Sequence, residues 1–186
     1  MKSKKIKGIV LHDFMQVNGG SEKLVLSLTK NLTNFSLITS GVYKDFTEMK
    51  ELKLVSHRTA SNIDFMPRFL KAILYFSCFV PKTDSDVSIY SGIYAPLATL
   101  HRKYPKNIYY CHTPPRFVFD RKVEYLRKVP ILLKPLYLAF LRVYRFLYVS
   151  SLRRMDVILT NSFHMQRFIK SSVGFDSVVV LSLIHI

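Results

Sequence analysis

The amino-acid sequence predicts an α/β protein built on a mainly parallel, doubly wound sheet. Short apolar runs rich in β-branched and aromatic residues alternate along the chain with segments whose apolar residues recur at helical spacing. The runs end in glycine, proline or small polar residues, as at Gly19-Gly20, Ser91-Gly92 and Thr113-Pro114-Pro115. At 186 residues and 49% hydrophobic content, the chain has the length and apolar content of one ordinary domain with a real core.

Each element follows from its residues. Lys5 to Phe14 begins with Ile6, Ile9, Val10 and Leu11 and turns polar, as an interior strand does at its end. Gly19-Gly20 then precede a helix with Ser21 as the expected N-cap, and Leu24, Val25, Leu28 and Leu32 share one face. A strand, a glycine turn and a helix start aim free backbone N–H groups above the strand, which favours an anion there. Phe35 to Thr39 and Leu52 to Val55 read as the second and third strands, with Gly41 and the polar stretch Lys44 to Lys50 between them. Phe69 to Phe79 reads as a helix burying Phe69, Ile73, Phe76 and Val80, ended by Pro81. Val87 to Tyr90 is a fourth strand, and Pro96 to Tyr104 a short helix started by its proline. Ile108 to Cys111 suits an interior strand that Pro114 and Pro115, lacking N–H groups, bring to a stop. Asp156 to Thr160 is the next strand, followed by a helix capped by Ser162 that turns Met165, Phe168 and Ile169 to the core. Ser177 to Val180 begins one more strand.

Charge narrows the partners. With 28 Lys+Arg against 12 Asp+Glu, the net charge of +16 draws polyanions: nucleic acid, anionic lipid or phosphorylated substrates. No helix-turn-helix, zinc or RNA-binding aromatic pattern accompanies that charge, so nucleic acid is the weakest of the three. The apolar stretch from Val129 to Leu152 contains Lys134, Arg142 and Arg145 and is interrupted by Pro130 and Pro135, which argues against a spanning helix. At helical pitch Lys134, Arg142, Arg145 and Arg153 fall within an arc of about 100°. Such a helix suits an anionic membrane surface, and equally a helix packed on the sheet with its basic stripe solvated. Cys78 and Cys111, the only cysteines, each lie in an apolar run and are expected to be small buried hydrophobes in a reducing compartment. The basic start Met1 to Lys7 is followed by too short an apolar run for a signal sequence, so the expected location is cytoplasmic, with peripheral attachment at the inner face of the cell membrane.

The candidate site is the stretch Ile108 to Asp120, where the apolar strand gives way to His112, Thr113 and Arg116 held by two prolines. Ligands of open α/β sheets bind outside the carboxyl ends of the strands, where these side chains stand. His12 and Asp13 also stand at a strand end, without an evident catalytic partner.

Three motifs occur in order: Gly19-Gly20-Ser21-Glu22, Tyr110-Cys111-His112-Thr113-Pro114-Pro115-Arg116, and Asp156-Val-Ile-Leu-Thr-Asn161-Ser162. Together they resemble the N-terminal, acceptor-side Rossmann-like domain of family 4 retaining glycosyltransferases of the two-domain GT-B fold. The similarity is greatest to bacterial enzymes of O-antigen and capsule synthesis, many of them mannosyltransferases. The resemblance implies that Gly19 and Gly20 approach the donor phosphates and that Glu22 completes a Gly-Gly-x-Glu pattern or favours its helix N-terminus. It implies that His112 contacts the transferred sugar as the catalytic histidine, with Thr113 beside it; from the residues alone His112 also reads as a satisfied histidine at a strand end. Arg116 would hold a phosphate of a lipid-linked acceptor, or pair with Asp120. Asn161 and Ser162 would stand at the start of the helix leading to the crossover, as ligands or as capping residues. The implied donor is a nucleotide sugar, with no further cofactor and no metal.

In that family a second Rossmann-like domain holds the nucleotide sugar. The chain reads as residues 1–180 of the first domain, and as given is expected to be inactive in sugar transfer. The last six residues, Leu181 to Ile186, match a translation of a transposon end used in preparing sequencing libraries and are expected to be non-native. The reading from a different class is a non-catalytic basic module that binds anionic membrane or, less favoured, nucleic acid.

Overall fold

The computed structural model describes residues 6–16, 19–43, 54–56 and 66–181, with the backbone alone for 54–56. Among the described residues seven strands form one sheet, all parallel, in the order β3-β2-β1-β4-β5-β6-β7. They are β1 (Gly8–His12), β2 (Phe35–Thr39), β3 (Leu54–Ser56), β4 (Val87–Ser91), β5 (Lys106–Cys111), β6 (Val157–Thr160) and β7 (Val178–Val179). This is the doubly wound, Rossmann-like arrangement, and the chain reverses its direction of growth between β1 and β4.

The two faces have separate cores, because residues alternate across each strand. On one face Val10 and Leu37 pack with Met15 and with Val25 and Leu26 of α1 (Gly20–Asn31). On the other, Ile9, Leu11 and Ile38 join a larger core with α2 (Arg68–Leu74), α4 (Lys134–Leu152) and α5 (Phe163–Val173). A short α3 (Lys122–Arg127) lies between β5 and α4 and buries nothing. The larger core is rich in tyrosine, and two of its buried hydroxyls find partners on the turn after β4. Tyr109 donates to the Gly92 carbonyl at 2.9 Å and Tyr144 to the Ile93 carbonyl at 2.6 Å. A buried hydroxyl left unbonded costs about 1–3 kcal/mol, so these bonds fix the turn as well as the rings.

Several expectations need correction. Gly19, not Ser21, is the N-cap of α1; the Ser21 hydroxyl donates instead to Glu22 Oε2 at 2.6 Å. The buried face of α1 is Glu22, Val25, Leu26 and Thr29, leaving Leu24, Leu28 and Leu32 half-buried. The helix expected over 69–79 is α2 followed by a π-helical turn, Tyr75–Phe79; it buries Tyr75 and Phe76 while Phe69 is 44% exposed. Cys78 follows Phe76 by two residues and so faces solvent, contrary to the expected burial, whereas Cys111 is buried. The short helix after β4 is a 3-10 turn, Ala95–Leu100, with Pro96 in its first turn. The stretch Lys44 to Lys50 lies outside the described residues, and the third strand falls at 54–56.

α4 settles how its two faces are used. Leu141, Tyr144, Tyr148, Ser151 and Leu152 recur at helical spacing and are buried. Arg142, Arg145 and Arg153 are exposed and Lys134 is half-buried, with Arg145 over the Phe119 ring at 5.6 Å. Apolar residues are exposed beside them, including Leu132 at 90% and Phe146 at 69%. Among the described residues no helix is long and apolar enough to cross a membrane.

Candidate functional site

Strand register builds the centre of the site. His12 and Ser91 are register partners at the carboxyl ends of β1 and β4, and Ser91 pairs in turn with Tyr110 of β5. His112 lies two residues beyond Tyr110 and so returns to the same face, its ring 4.8 Å from the Tyr110 ring. The result is a chain of side chains across three strands. His12 Nδ1 lies 3.1 Å from Ser91 Oγ, which lies 3.0 Å from His112 Nε2. His12 and Ser91 are buried, at 4% and 1% exposure.

One hydroxyl proton serves two rings, and this couples them. When His12 donates from Nδ1, Ser91 donates to His112 Nε2, and both neutral rings carry their proton on Nδ1. When His112 donates from Nε2, Ser91 donates to His12 Nδ1, and both carry it on Nε2. The two histidines therefore share one tautomer, and His112 presents the complementary nitrogen, Nδ1, as donor in one state and acceptor in the other. Burial holds the His12 pKa down to about 4 against the pull of Glu22. Burial, and then the charge of His12, lowers His112 to about 4 as well, so both rings are neutral at pH 7.

Asp13 has a different role from its neighbour. Its carboxyl accepts backbone N–H bonds from Ile93 at 2.6 Å, Tyr94 at 2.8 Å and Ala95 at 2.7 Å. Burial pushes its pKa up to about 7, against these three donors, which favour the charged form. Gly92 allows the approach: its φ is +112°, and a Cβ there would overlap the Asp13 carboxyl group.

Beside this chain a cleft of about 390 Å3 opens at the carboxyl ends of β5 and β6. Five residues singled out in the sequence line it together: His112, Thr113, Arg116, Asn161 and Ser162. Ser162 caps α5 as expected, accepting from the Met165 N–H at 3.3 Å, and also donates to Asn161 Oδ1 at 3.3 Å. Arg116 donates from Nε and Nη2 to Asp120 Oδ2 at 3.0 and 2.8 Å, so the ion pair with Asp120 forms, and Nη1 is unbonded among the described residues. That bond raises the Arg116 pKa and lowers that of Asp120. His164, Met165 and Phe168 add an unforeseen wall from α5.

Gly19, Gly20 and Glu22 do not line this cleft. They stand at the start of α1, where a Cβ on Gly19 would lie 3.0 Å from Glu22 Oε2. Glu22 is itself buried, so a carboxylate already occupies the helix start where an external anion is expected, and its charge favours protonation of both histidines. Ser91 was not foreseen as a site residue, since only the strand order places it between two histidines. Among the described residues, no group of three or more His, Cys, Asp or Glu is placed to hold a metal ion. No family model matches the chain, and no curated protein matches it.

Proposed function

We propose that this domain is the acceptor-side half of a retaining glycosyltransferase. The reaction moves a sugar, with mannose the leading candidate, from a nucleotide sugar to a lipid-linked or polysaccharide acceptor. The observation that supports this is the meeting in one cleft of His112, Thr113 and Arg116 with Asn161 and Ser162, which come from separate segments of the chain. In such a transfer the nucleotide diphosphate leaves as the acceptor hydroxyl attacks the same sugar face, so stabilising developing charge is the main task. A neutral His112 protonated on Nδ1 can donate a hydrogen bond to that charge, while Ser91 holds Nε2. Arg116, oriented by Asp120, keeps Nη1 for an acceptor phosphate.

The exposed Ile131, Leu132, Leu136 and Phe146, near Lys134, Arg142 and Arg145 in the chain, support seating on an anionic membrane that carries the acceptor. The same residues favour the second reading, a non-catalytic module on that membrane. Donor recognition in the resembled family belongs to a partner domain, so the test reads acceptor binding. The chain is titrated with anionic vesicles with and without a glycan carried on a lipid phosphate, following the backbone signals of Thr113 and Asn161. Both vesicles are expected to bind, and only the glycan-bearing ones to shift the cleft signals; Arg116→Gln weakens that shift by about tenfold. Identical spectra with the two vesicles would leave the non-catalytic module standing. A preference for nucleic acid at physiological salt would reject both readings.

A further inference from the structure

The loops that enter β4, β5 and β6 meet at the amino-terminal end of the sheet, away from the cleft. Lys82 and Thr83 precede β4, His101 to Tyr104 precede β5, and Arg154 precedes β6. Together they surround a depression of about 430 Å3 with four cations, Lys82, Arg102, Lys103 and Arg154, and no carboxylate in its lining. Like charges gathered without a counterion repel one another, and an anion relieves them.

Two of the cations are already oriented. Arg102 donates from Nε to the Val80 carbonyl at 2.7 Å. Arg154 donates from Nη1 to the carbonyls of Thr99 at 2.7 Å and Leu100 at 3.0 Å. Each guanidinium is held by one edge, so Nη1 and Nη2 of Arg102 and Nη2 of Arg154 have no hydrogen bond among the described residues. Planar forks fixed in this way suit the oxygens of a phosphoryl group. Lys82 and Lys103 are exposed and have no ion-pair partner among the described residues.

His101 points to a ligand independently of charge. Both of its ring nitrogens are enclosed, and neither makes a well-formed hydrogen bond among the described residues, although the Val80 carbonyl lies close to the ring. Ser77, Thr160 and Ser177 also carry buried polar atoms without a partner among the described residues, but only His101 does so in the lining of a cationic depression, where a ligand from outside the chain supplies one. The neighbouring Tyr104 hydroxyl, by contrast, lies 3.2 Å from Thr83 Oγ1 and is satisfied. Burial, and then the Arg102 charge, hold His101 below the ordinary histidine range against the nearby Val80 carbonyl, so its neutral ring offers one N–H.

We propose that this depression is an anion site for a phosphoryl group, gripped by Arg102 and Arg154, covered by Lys82 and Lys103, and hydrogen-bonded by His101. The group can belong to a small phosphorylated molecule or to a lipid headgroup, which share this chemistry. The proposal does not rest on the glycosyltransferase reading, because no residue of the cleft takes part.

The test follows the His101 ring nitrogens by NMR in the whole chain at constant ionic strength. One arm adds inorganic phosphate, a second adds phosphatidic acid vesicles beside phosphatidylcholine vesicles, and a third adds chloride. Phosphate up to about 10 mM or the phosphatidic acid vesicles should shift the ring signals, and the responding arm identifies the source. Lys82→Gln with Lys103→Gln, both exposed and therefore without effect on the melting temperature, should weaken the response at least about tenfold. An unmoved His101 in both phosphoryl arms overturns the proposal. So does an equal shift with chloride, or an undiminished response in the double variant.

Discussion

Replacing Ser91 with alanine tests the coupling of the two histidines directly. The hydroxyl lies 3.1 Å from His12 Nδ1 and 3.0 Å from His112 Nε2, and its removal strands both nitrogens. His12 is sealed from solvent, so its nitrogen loses its partner at a cost of about 1–3 kcal/mol; His112 borders the cleft and can recruit water, at about 0.5–1 kcal/mol. The sum, about 1.5–4 kcal/mol, should be visible as a lower urea midpoint with unchanged slope. The more specific readout is the tautomer. Nitrogen-detected histidine spectra of the native chain should show equal Nδ1–H fractions for the two rings, because Ser91 Oγ has no third partner among the described residues. In Ser91→Ala that equality should vanish, His112 relaxing toward the preference of a solvated ring. Unequal fractions in the native chain, or equal ones retained in the variant, would refute the shared proton.

Two other perturbations have signed outcomes. Gly92→Ala combines a left-handed backbone with overlap on the Asp13 carboxyl group, and should cost about 3–5 kcal/mol; Gly174→Ala, at φ +84° with open space around it, should cost only the backbone strain of about 1–2 kcal/mol. Equal melting shifts for the two variants would show that the Asp13 clasp adds nothing. Stability should fall as pH drops from 6.5 toward 4, since His12 and His112 bind protons near 4 when folded and near 6.5 when unfolded, His12 alone contributing about 3 kcal/mol. Asp13 opposes this, because a carboxyl raised from 3.8 to about 7 binds its proton more tightly in the folded state. Asp13→Asn should therefore steepen the acid limb of the urea midpoint against pH, and a limb that becomes shallower would refute this balance.

What was legible in the sequence is what short-range chemistry dictates. Phe35 to Thr39 is a strand because an apolar run between polar turns has no better use, and Ser162 caps α5 because its hydroxyl sits three residues before a free N–H. His112, Thr113 and Arg116 were visible because two prolines end their strand in public view of any reader of the chain. Ser21 misled because the helix begins one residue before it, at Gly20, so its hydroxyl lies inside the first turn and donates to the Glu22 carboxylate. Ser91 was out of reach for another reason. It lies 79 residues from His12 and 21 from His112, and only the order β1-β4-β5 brings the three together. Cys78 was misplaced because a π-helical turn changes the residues per turn and so rotates the buried face.

The turn at 92–95 is not a transferable part. Its three N–H groups are satisfied by Asp13, from a loop about 80 positions earlier, and two of its carbonyls by Tyr109 and Tyr144, from later elements. A circular permutation that breaks the chain between β1 and α1 keeps every residue yet loosens the strut on which the 3-10 turn begins. Conversely, a host scaffold that receives this turn must also receive an acidic side chain at the end of the neighbouring strand. The smallest movable unit here is therefore a pair of strand ends, discontinuous in the chain, and domain shuffling by contiguous segments would separate its halves.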